Sequence, residues 1–325
     1  MTRFDFKRDL LPHLVVFAVF FAIMFVYFKP AIFEGKQLRQ DDLLEVKGAG
    51  KELQDHLKET GVHSLWSTTS FSGMPTYMLM APPTESLNNP LAKASRLGLP
   101  YPIAIPMVAL LCFYILLSVW GFKPWIAATG AIAFSFATFI FVSLEVGHNS
   151  KLNAMAYSSL VMAGVVAAFQ KRYLLGMAIT TIGMALHIFG THYQITWYLM
   201  FIILIYGVNE LIKAIRAKEL PHFGKAVGVL VVAVAIGMLT NSVRLLITME
   251  YTPYSMRGGS ELKQNAKDGN EKGLDADYIF RWSYGVGESF NLLIPRLYGG
   301  SNAEPVPKDS KLAKNYDEFG YYWGQ

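Results

Sequence analysis

The chain has 325 residues, of which 53% are hydrophobic and only 16% are charged, whereas ordinary soluble domains contain roughly 25% charged residues. This bias predicts a membrane protein and argues against a soluble globular domain. The formal net charge is +5, but the lysines and arginines lie mainly beside apolar segments. Membrane topology therefore explains the positive charge better than a nucleic-acid partner does. The single cysteine, Cys112, excludes an intrachain disulfide and a cysteine-based metal site.

Several apolar segments have about the length that one bilayer crossing requires, roughly 20 residues. The stretch 173–209 contains no Asp, Glu, Lys or Arg and is too long for one crossing, so we divide it at the sequence GTHYQ. The predicted spans are residues 10–28, 101–122, 124–144, 152–170, 173–189, 194–212 and 226–247. The predicted fold class is therefore an all-α polytopic integral membrane protein with about seven transmembrane helices.

The basic residues of the short connections predict the orientation of these spans. They concentrate at the N-terminus and after the second, fourth and sixth spans, and short cytoplasmic loops collect Lys and Arg. A single crossing over 173–209 would export the basic cluster at 213–225, against this rule. Two short spans and a cytoplasmic N-terminus are therefore favoured.

This orientation puts four polar segments on the external face. They are the long loop 29–100, the GHNSKLN turn, the GTHYQ turn and the segment 248–325. We expect residues 1–247 to form the transmembrane module and 248–325 to form an external segment. An active site should then lie at the outer membrane surface.

The external loop 29–100 contains two kinds of sequence. DDLLEVKGAGKELQDHLKET has leucines at roughly helical spacing and suits an amphipathic helix lying on the headgroups. HSLWSTTSFSGMPTYMLMAPP is rich in aromatic residues and methionine. Its Trp66 fits an interfacial aromatic belt, or equally a surface that binds lipid or stacks on a sugar.

Two adjacent acids, Asp41 and Asp42, are the candidate catalytic residues of this loop. Neighbouring side chains diverge by about 100° on a helix, so they are not expected to share a proton within one pocket. One of them could act as a general base on an acceptor hydroxyl. Alternatively, both are solvated and cap a helix that begins at Leu43.

Polar residues in the two short external turns are candidate binding residues. His148, Asn149 and Lys151 of GHNSK could hold a phosphate, or could form a hydrated turn. His192 and Tyr193 of GTHYQ are weaker candidates, because a lone histidine near a helix end is more often structural.

The segment after the last span supplies further candidate binding residues, Arg257, Arg281 and Glu288, set among aromatic residues and glycines. An arginine can hold a phosphate through two parallel hydrogen bonds. The same composition also suits an ordinary loop packed on a membrane domain. The sequence has no HExxH, CxxC, GxxxxGK[ST] or GxGxxG motif, so nothing indicates a protein-built zinc site or nucleotide chemistry.

Six motifs in this order resemble the YfhO-like family of bacterial membrane proteins, in the form common in the Bacteroidetes group. They are EGKQLRQDD, LWSTTSFSGMPTY, VGHNSKLNAMAY, THYQITWY, EYTPYSMRGGSEL and WSYGVGESFNLLIP. The resemblance covers essentially the whole chain and is carried by the combination of motifs. Members are usually longer, so it implies that this chain is an N-terminal portion, which could be inactive alone.

The resemblance implies a C-type glycosyltransferase fold with a catalytic acid in the first external loop. The family usually has a small residue before that acid, as in QGD, so QDD aligns the acid with Asp42 and leaves Asp41 at the small-residue position. The implied donor is a polyprenyl-phosphate-linked sugar, and the implied acceptor is a cell-envelope glycan. A divalent metal ion could assist, and no metal ligand is assigned from the sequence.

The predicted function is therefore a glycosyltransferase in a bacterial plasma (inner) membrane, in contact with lipid and acting at the external, periplasmic face. The alternatives are a transporter or lipid flippase, and a non-catalytic membrane scaffold. A transporter is expected to carry charge or broken helices at the midplane. Here the spans are almost free of charge and the polar residues collect on one face, which favours surface chemistry.

Overall fold

A computed structural model describes residues 5–70, 72–79, 86–255, 279–281, 283–294 and 297. The chain divides into two compact units. The first unit contains Met1–Phe136 and Ser143–Val243, and the second contains Ala137–Val142 and Arg244–Gln325. The described residues are predominantly helical, which confirms the predicted all-α class in its coarse form.

The helices and strands follow the apolar segments and the external loop of the sequence. The helices are α1 Leu11–Tyr27, α2 Lys29–Phe33, α3 Asp41–Ala49, α4 Lys51–Thr60, α5 Thr76–Leu79, α6 Asn88–Ser95, α7 Ala104–Trp120, α8 Pro124–Ser135, α9 Thr138–Val146, α10 Asn149–Phe169, α11 Tyr173–Phe189, α12 Tyr193–Ala217, α13 Leu220–Leu239 and α14 Ser242–Tyr251. A π-helical turn, Phe6–Leu10, precedes α1, and short 3₁₀ helices cover Thr252–Tyr254 and Glu288–Leu292. Strands β1, Trp66–Ser67, and β2, Met74–Pro75, form an antiparallel pair.

Several of these helices have the length and composition needed to cross a bilayer. Among the described residues there are four, Phe6–Tyr27, Asn149–Phe169, Tyr193–Ala217 and Leu220–Leu239. The bent pair α8 and α9 makes a fifth if it counts as one span. The helices α7 and α11 are apolar but shorter, at 17 residues each.

The core of the first unit is built around α10, which packs against α7 and α11. Glycines permit this close approach, since a Cβ added at Gly176 would lie 2.7 Å from the backbone nitrogen of Ala168 on α10. Gly237 of α13 meets α11 in the same way, with the carbonyl oxygen of Thr181 at 2.9 Å from an added Cβ. Small residues at helix contacts are typical of membrane bundles, where packing must replace the hydrophobic effect.

The predicted division of the stretch 173–209 is confirmed, because α11 ends at Phe189 and α12 begins at Tyr193. Different contacts join the connections at the two ends of these helices. At one end, Lys171 Nζ lies 2.8 Å from the Glu219 carboxylate. At the other end, the buried amide of Asn88 donates to Asn241 Oδ1 at 3.1 Å.

The bounds of two predicted spans differ from the helices. The segment predicted as span 226–247 forms α13, which begins and ends earlier, followed by the separate helix α14. A charge-free window excluded Lys225, yet a lysine stem can lie in a helix while its ammonium group reaches the interface. Here Lys225 Nζ lies 4.5 Å from the Tyr173 ring centroid. The segment 124–144 is interrupted between α8 and α9 although its composition stays apolar.

Candidate functional site

The two candidate acids lie in the first turn of α3 and pair with different partners. Asp41 Oδ1 accepts a hydrogen bond from Arg39 Nε at 2.9 Å, and both side chains are exposed. Asp42 Oδ2 lies 2.9 Å from His148 Nε2. The predicted divergence of the two carboxylates is therefore confirmed. The helix begins at Asp41 and not at Leu43, and its capping position is Gln40, whose side chain makes no capping bond.

The Asp42 carboxylate is the outer end of a chain of three polar groups. Lys151 Nζ lies 3.0 Å from His148 Nδ1; His148 directly precedes α10, and Lys151 lies in the first turn of that helix. An ammonium group only donates, so Nδ1 accepts and the ring proton lies on Nε2, from which it is donated to Asp42. The His148 side chain is 18% exposed and that of Asp42 is 47% exposed. One carboxylate oxygen is thus held by a mostly covered imidazole, while the group as a whole stays accessible.

Gln40 fixes the backbone that carries Asp42. Its side chain is 2% exposed and forms a reciprocal amide pair with Asn149, at 3.0 and 2.9 Å. The second hydrogen on Gln40 Nε2 is donated to the carbonyl oxygen of Leu144 at 2.6 Å. Asn149, predicted to bind a ligand, therefore joins the external loop to the start of α10. Sequence reasoning missed Gln40, and its position directly before the two acids was the one local signal.

Gly147 provides the close contact between these two segments. Its φ angle is +111°, a conformation that residues with a side chain rarely adopt. A Cβ added there would lie 3.3 Å from Gln40 Cβ and 3.4 Å from Asp42 Cβ. The glycine of GHNSK thus lets the first turn of α3 rest on the turn before α10.

The GTHYQ turn lies beside the same group of residues. Burial lowers the pKa of His192, and electrostatic interactions with Lys151 and then with His148 lower it further. Burial and then the charge of Lys151 also lower the pKa of His148, and the Asp42 carboxylate offsets only part of that shift. Both histidines are therefore held in the neutral form. Tyr193, the other candidate of this turn, is half-buried at the start of α12.

Because these two pKa values are lowered, we expect the protein to lose stability on mild acidification. As the pH drops below about 6.5, these two histidines bind protons in the unfolded chain but stay neutral in the folded chain. The free energy of unfolding therefore falls with the pH in this range. The loss of stability stops once the pH falls below the pKa that these histidines have in the folded chain. The apparent melting temperature in detergent, measured between pH about 7.5 and about 5.5, should fall with pH, and His148→Gln should flatten the curve.

His63→Gln is the matched control, because it removes an exposed histidine of the external loop. It should leave the pH dependence as in the wild type. A wild-type melting temperature that rises towards acid pH, or a full slope in His148→Gln, would contradict the assignment of a neutral His148.

Trp66 is held as an exposed aromatic surface. Its side chain is 54% exposed, and a Cβ added at Gly73 would lie 2.8 Å from its Nε1 atom. The adjacent loop is attached to α4 through Glu52, which accepts hydrogen bonds from the hydroxyl groups of Thr68 at 2.6 Å and Thr69 at 2.9 Å. The ring therefore has a fixed support, which suits a lipid interface and a sugar-stacking surface alike.

The candidates of the C-terminal segment belong to the second unit. Arg281 is exposed, and Glu288 begins a 3₁₀ helix and accepts a hydrogen bond from the backbone nitrogen of Gly285 at 2.6 Å. Arg257 lies outside the described residues.

The described residues offer a carboxylate that can accept a proton, a neutral imidazole that orients it, and a nearby ammonium charge. In the same part of the chain, no three His, Cys, Asp or Glu side chains are arranged to hold a metal ion. No family model, curated protein or solved structure that was compared with this chain matches it.

Proposed function

We propose that this chain is a membrane glycosyltransferase that moves a sugar from a polyprenyl-phosphate donor to a cell-envelope acceptor. The observation that carries the proposal is the bond from His148 Nε2 to Asp42 Oδ2, with Lys151 on the other ring nitrogen. A carboxylate oriented through one oxygen and accessible through the rest of the group suits a general base. The motif resemblance to the YfhO-like family independently assigns the catalytic acid to Asp42.

In the proposed reaction, Asp42 takes the proton of a hydroxyl group on the acceptor. The oxygen of that hydroxyl group attacks the anomeric carbon of the donor sugar. The bond from that carbon to the phosphate oxygen breaks, and the phosphate leaves with the electron pair, still attached to the lipid. A phosphate is a good leaving group, so no separate general acid is required. Positive charge near the departing oxygen lowers the barrier because it binds the developing anion more strongly than the ground state.

The helices support a seven-span topology within this proposal. The four long apolar helices, the bent pair α8 and α9, and the two 17-residue helices α7 and α11 together match the predicted spans, and 17 residues is about the lower limit for a crossing. In the proposed orientation the N-terminus is cytoplasmic, and the Asp42 group faces the periplasm of a bacterial inner membrane. A C-type glycosyltransferase fold agrees with this arrangement.

The bent pair α8 and α9 is also what a transporter would contain, since broken helices are common in transporter spans. A transporter or lipid flippase is therefore the second candidate function. A membrane scaffold without catalysis is the third reading, and the oriented Asp42 carboxylate argues against it.

The test is to incubate the purified protein in lipid nanodiscs with a panel of polyprenyl-phosphate sugars and to measure the released polyprenyl phosphate. Transport of the same lipids is measured in parallel in proteoliposomes. We expect release with one or more donors in the presence of a glycan acceptor. Transport without release would replace the proposal by the transporter, and inactivity in both assays would favour the scaffold.

A further inference from the structure

A second polar feature of the first unit lies on the opposite side of the first turn of α10. His148, which directly precedes α10, and Lys151 of its first turn lie near Asp42, whereas Ser150 and Asn153 line a separate cleft of about 210 Å³. Ser150 and Asn153 are three residues apart on α10 and therefore share one face of the helix. The Asp42 group and the cleft are therefore neighbours across a single helical turn.

Arg96 is the cation among the described residues that line the cleft. Arg96, which directly follows α6, lies with its Cζ atom 4.4 Å from the Tyr101 ring centroid and lines the cleft. Among the described residues, no acidic side chain lines this cleft, and no carboxylate pairs with Arg96. Hydroxyl and amide groups of Ser150, Asn153 and Thr191 complete the polar lining. A partly covered cation with hydrogen-bond donors around it and no acid nearby is suited to an anion.

The walls of the cleft are fixed before any ligand arrives. Asn153 Nδ2 donates to the backbone oxygen of Asn149 at 2.8 Å and lies 3.4 Å from the Tyr101 hydroxyl oxygen. At the other end of α6, Asn88 is tied to the end of α13 through Asn241. A guanidinium group stacked on a supported ring loses little freedom on binding, so the site is preorganised.

We infer that the Arg96 cleft binds the phosphate group of the polyprenyl lipid, an assignment that rests on the proposed function. The lysine beside Asp42 already bonds to His148, whereas the guanidinium group in the cleft stacks on a ring and keeps its N–H donors available for an anion. The cleft also has apolar walls, from Leu186 and Phe189 at the end of the spanning helix α11. Phosphate recognition next to apolar helix ends fits a lipid phosphate better than a soluble anion.

The binding test uses native mass spectrometry of the purified chain, titrated with polyprenyl phosphate, with polyprenol and with inorganic phosphate. We expect Arg96→Gln to weaken polyprenyl phosphate binding by about tenfold or more, because a charge-assisted hydrogen bond is lost. Lys93→Gln is the matched control, since it removes a cation from an exposed position of the same helix. It should bind as the wild type does.

Unchanged binding by Arg96→Gln would overturn the inference. If polyprenol binds as tightly as polyprenyl phosphate, the cleft does not recognise the phosphate group. If inorganic phosphate binds as tightly, the cleft does not recognise the lipid chain. A second measurement needs no variant: polyprenyl phosphate should protect Arg96 of the wild-type chain from modification by phenylglyoxal, detected by peptide mass spectrometry. Absence of protection would contradict the site even if Arg96→Gln failed to fold.

The outcomes also separate this site from the proposed function. If binding depends on Arg96 but no sugar is transferred, the phosphate site is supported and the proposed glycosyltransferase function is contradicted. If the wild type transfers sugar and Arg96→Gln still binds the lipid fully, the proposed function is supported and the phosphate site is contradicted.

Discussion

Asp42→Asn is expected to lower sugar transfer from the polyprenyl-phosphate donor by roughly 10²-fold to 10⁴-fold, the usual contribution of a general base. The asparagine oxygen can still accept the hydrogen bond that His148 Nε2 donates at 2.9 Å to the native carboxylate. The geometry of the pair is therefore retained while the proton acceptor is lost. The measurement is the rate of polyprenyl phosphate release, with membrane insertion and melting temperature determined for the same preparation.

Asp41→Asn makes the same chemical change one residue away and is the matched control. Asp41 pairs with Arg39 at an exposed position, with side-chain exposures of 53% and 79%. Such surface pairs contribute about 0–1 kcal/mol, so transfer should stay within a fewfold of the wild type. Equal losses in the two variants, or wild-type transfer by Asp42→Asn, would remove Asp42 from the mechanism.

Gly147→Ala is expected to reduce both stability and transfer. The added methyl group would lie 3.3 Å from the backbone nitrogen of Leu43 and 3.4 Å from Asp42 Cβ, at a φ of +111°. The strained backbone alone should cost about 1–3 kcal/mol. The first turn of α3 must also move away, and a displacement of about 1 Å at a reacting group can cost about 10²-fold in rate.

Gly121→Ala separates backbone strain from the contact with Asp42. Gly121 has a similar φ of +101°, but nothing lies within 4 Å of a Cβ added there. Both variants should lose melting temperature, and Gly147→Ala alone should lose transfer. If Gly121→Ala loses transfer to the same degree, strain and not the position of Asp42 explains the effect.

The fold was predictable where the signal is local. Apolar stretches of about one span in length, the helix-breaking GTHYQ turn and the basic connections are all written in neighbouring residues. The interruption between α8 and α9 could not be predicted from the sequence, because an apolar composition indicates where a segment is buried and not where its backbone bends. The early start of α13 was missed because Lys225 was treated as a charge that ends a span.

The candidate site was predictable in part for the same reason. The divergence of Asp41 and Asp42 follows from helical geometry, and the polarity of GHNSK marked His148 and Lys151. The pairing of Gln40 with Asn149 joins positions 109 apart in sequence, so no local pattern contains it. Asn149 therefore supports the Asp42 backbone through a contact that the sequence did not indicate.

Residue chemistry along the chain was sufficient to predict apolar helices of membrane type and to mark Asp41 and Asp42 as candidate acids, whereas the choice of Asp42 came from the motif resemblance. Hydropathy and charge act additively over short windows, so they can be read without knowing the partners of each side chain. Tertiary packing decided the partners: His148 on Asp42, Gln40 on Asn149, and Arg96 in a cleft that no described acidic side chain lines. These contacts exist because α10 brings the external loop and both turns together, and that convergence depends on how distant helices pack.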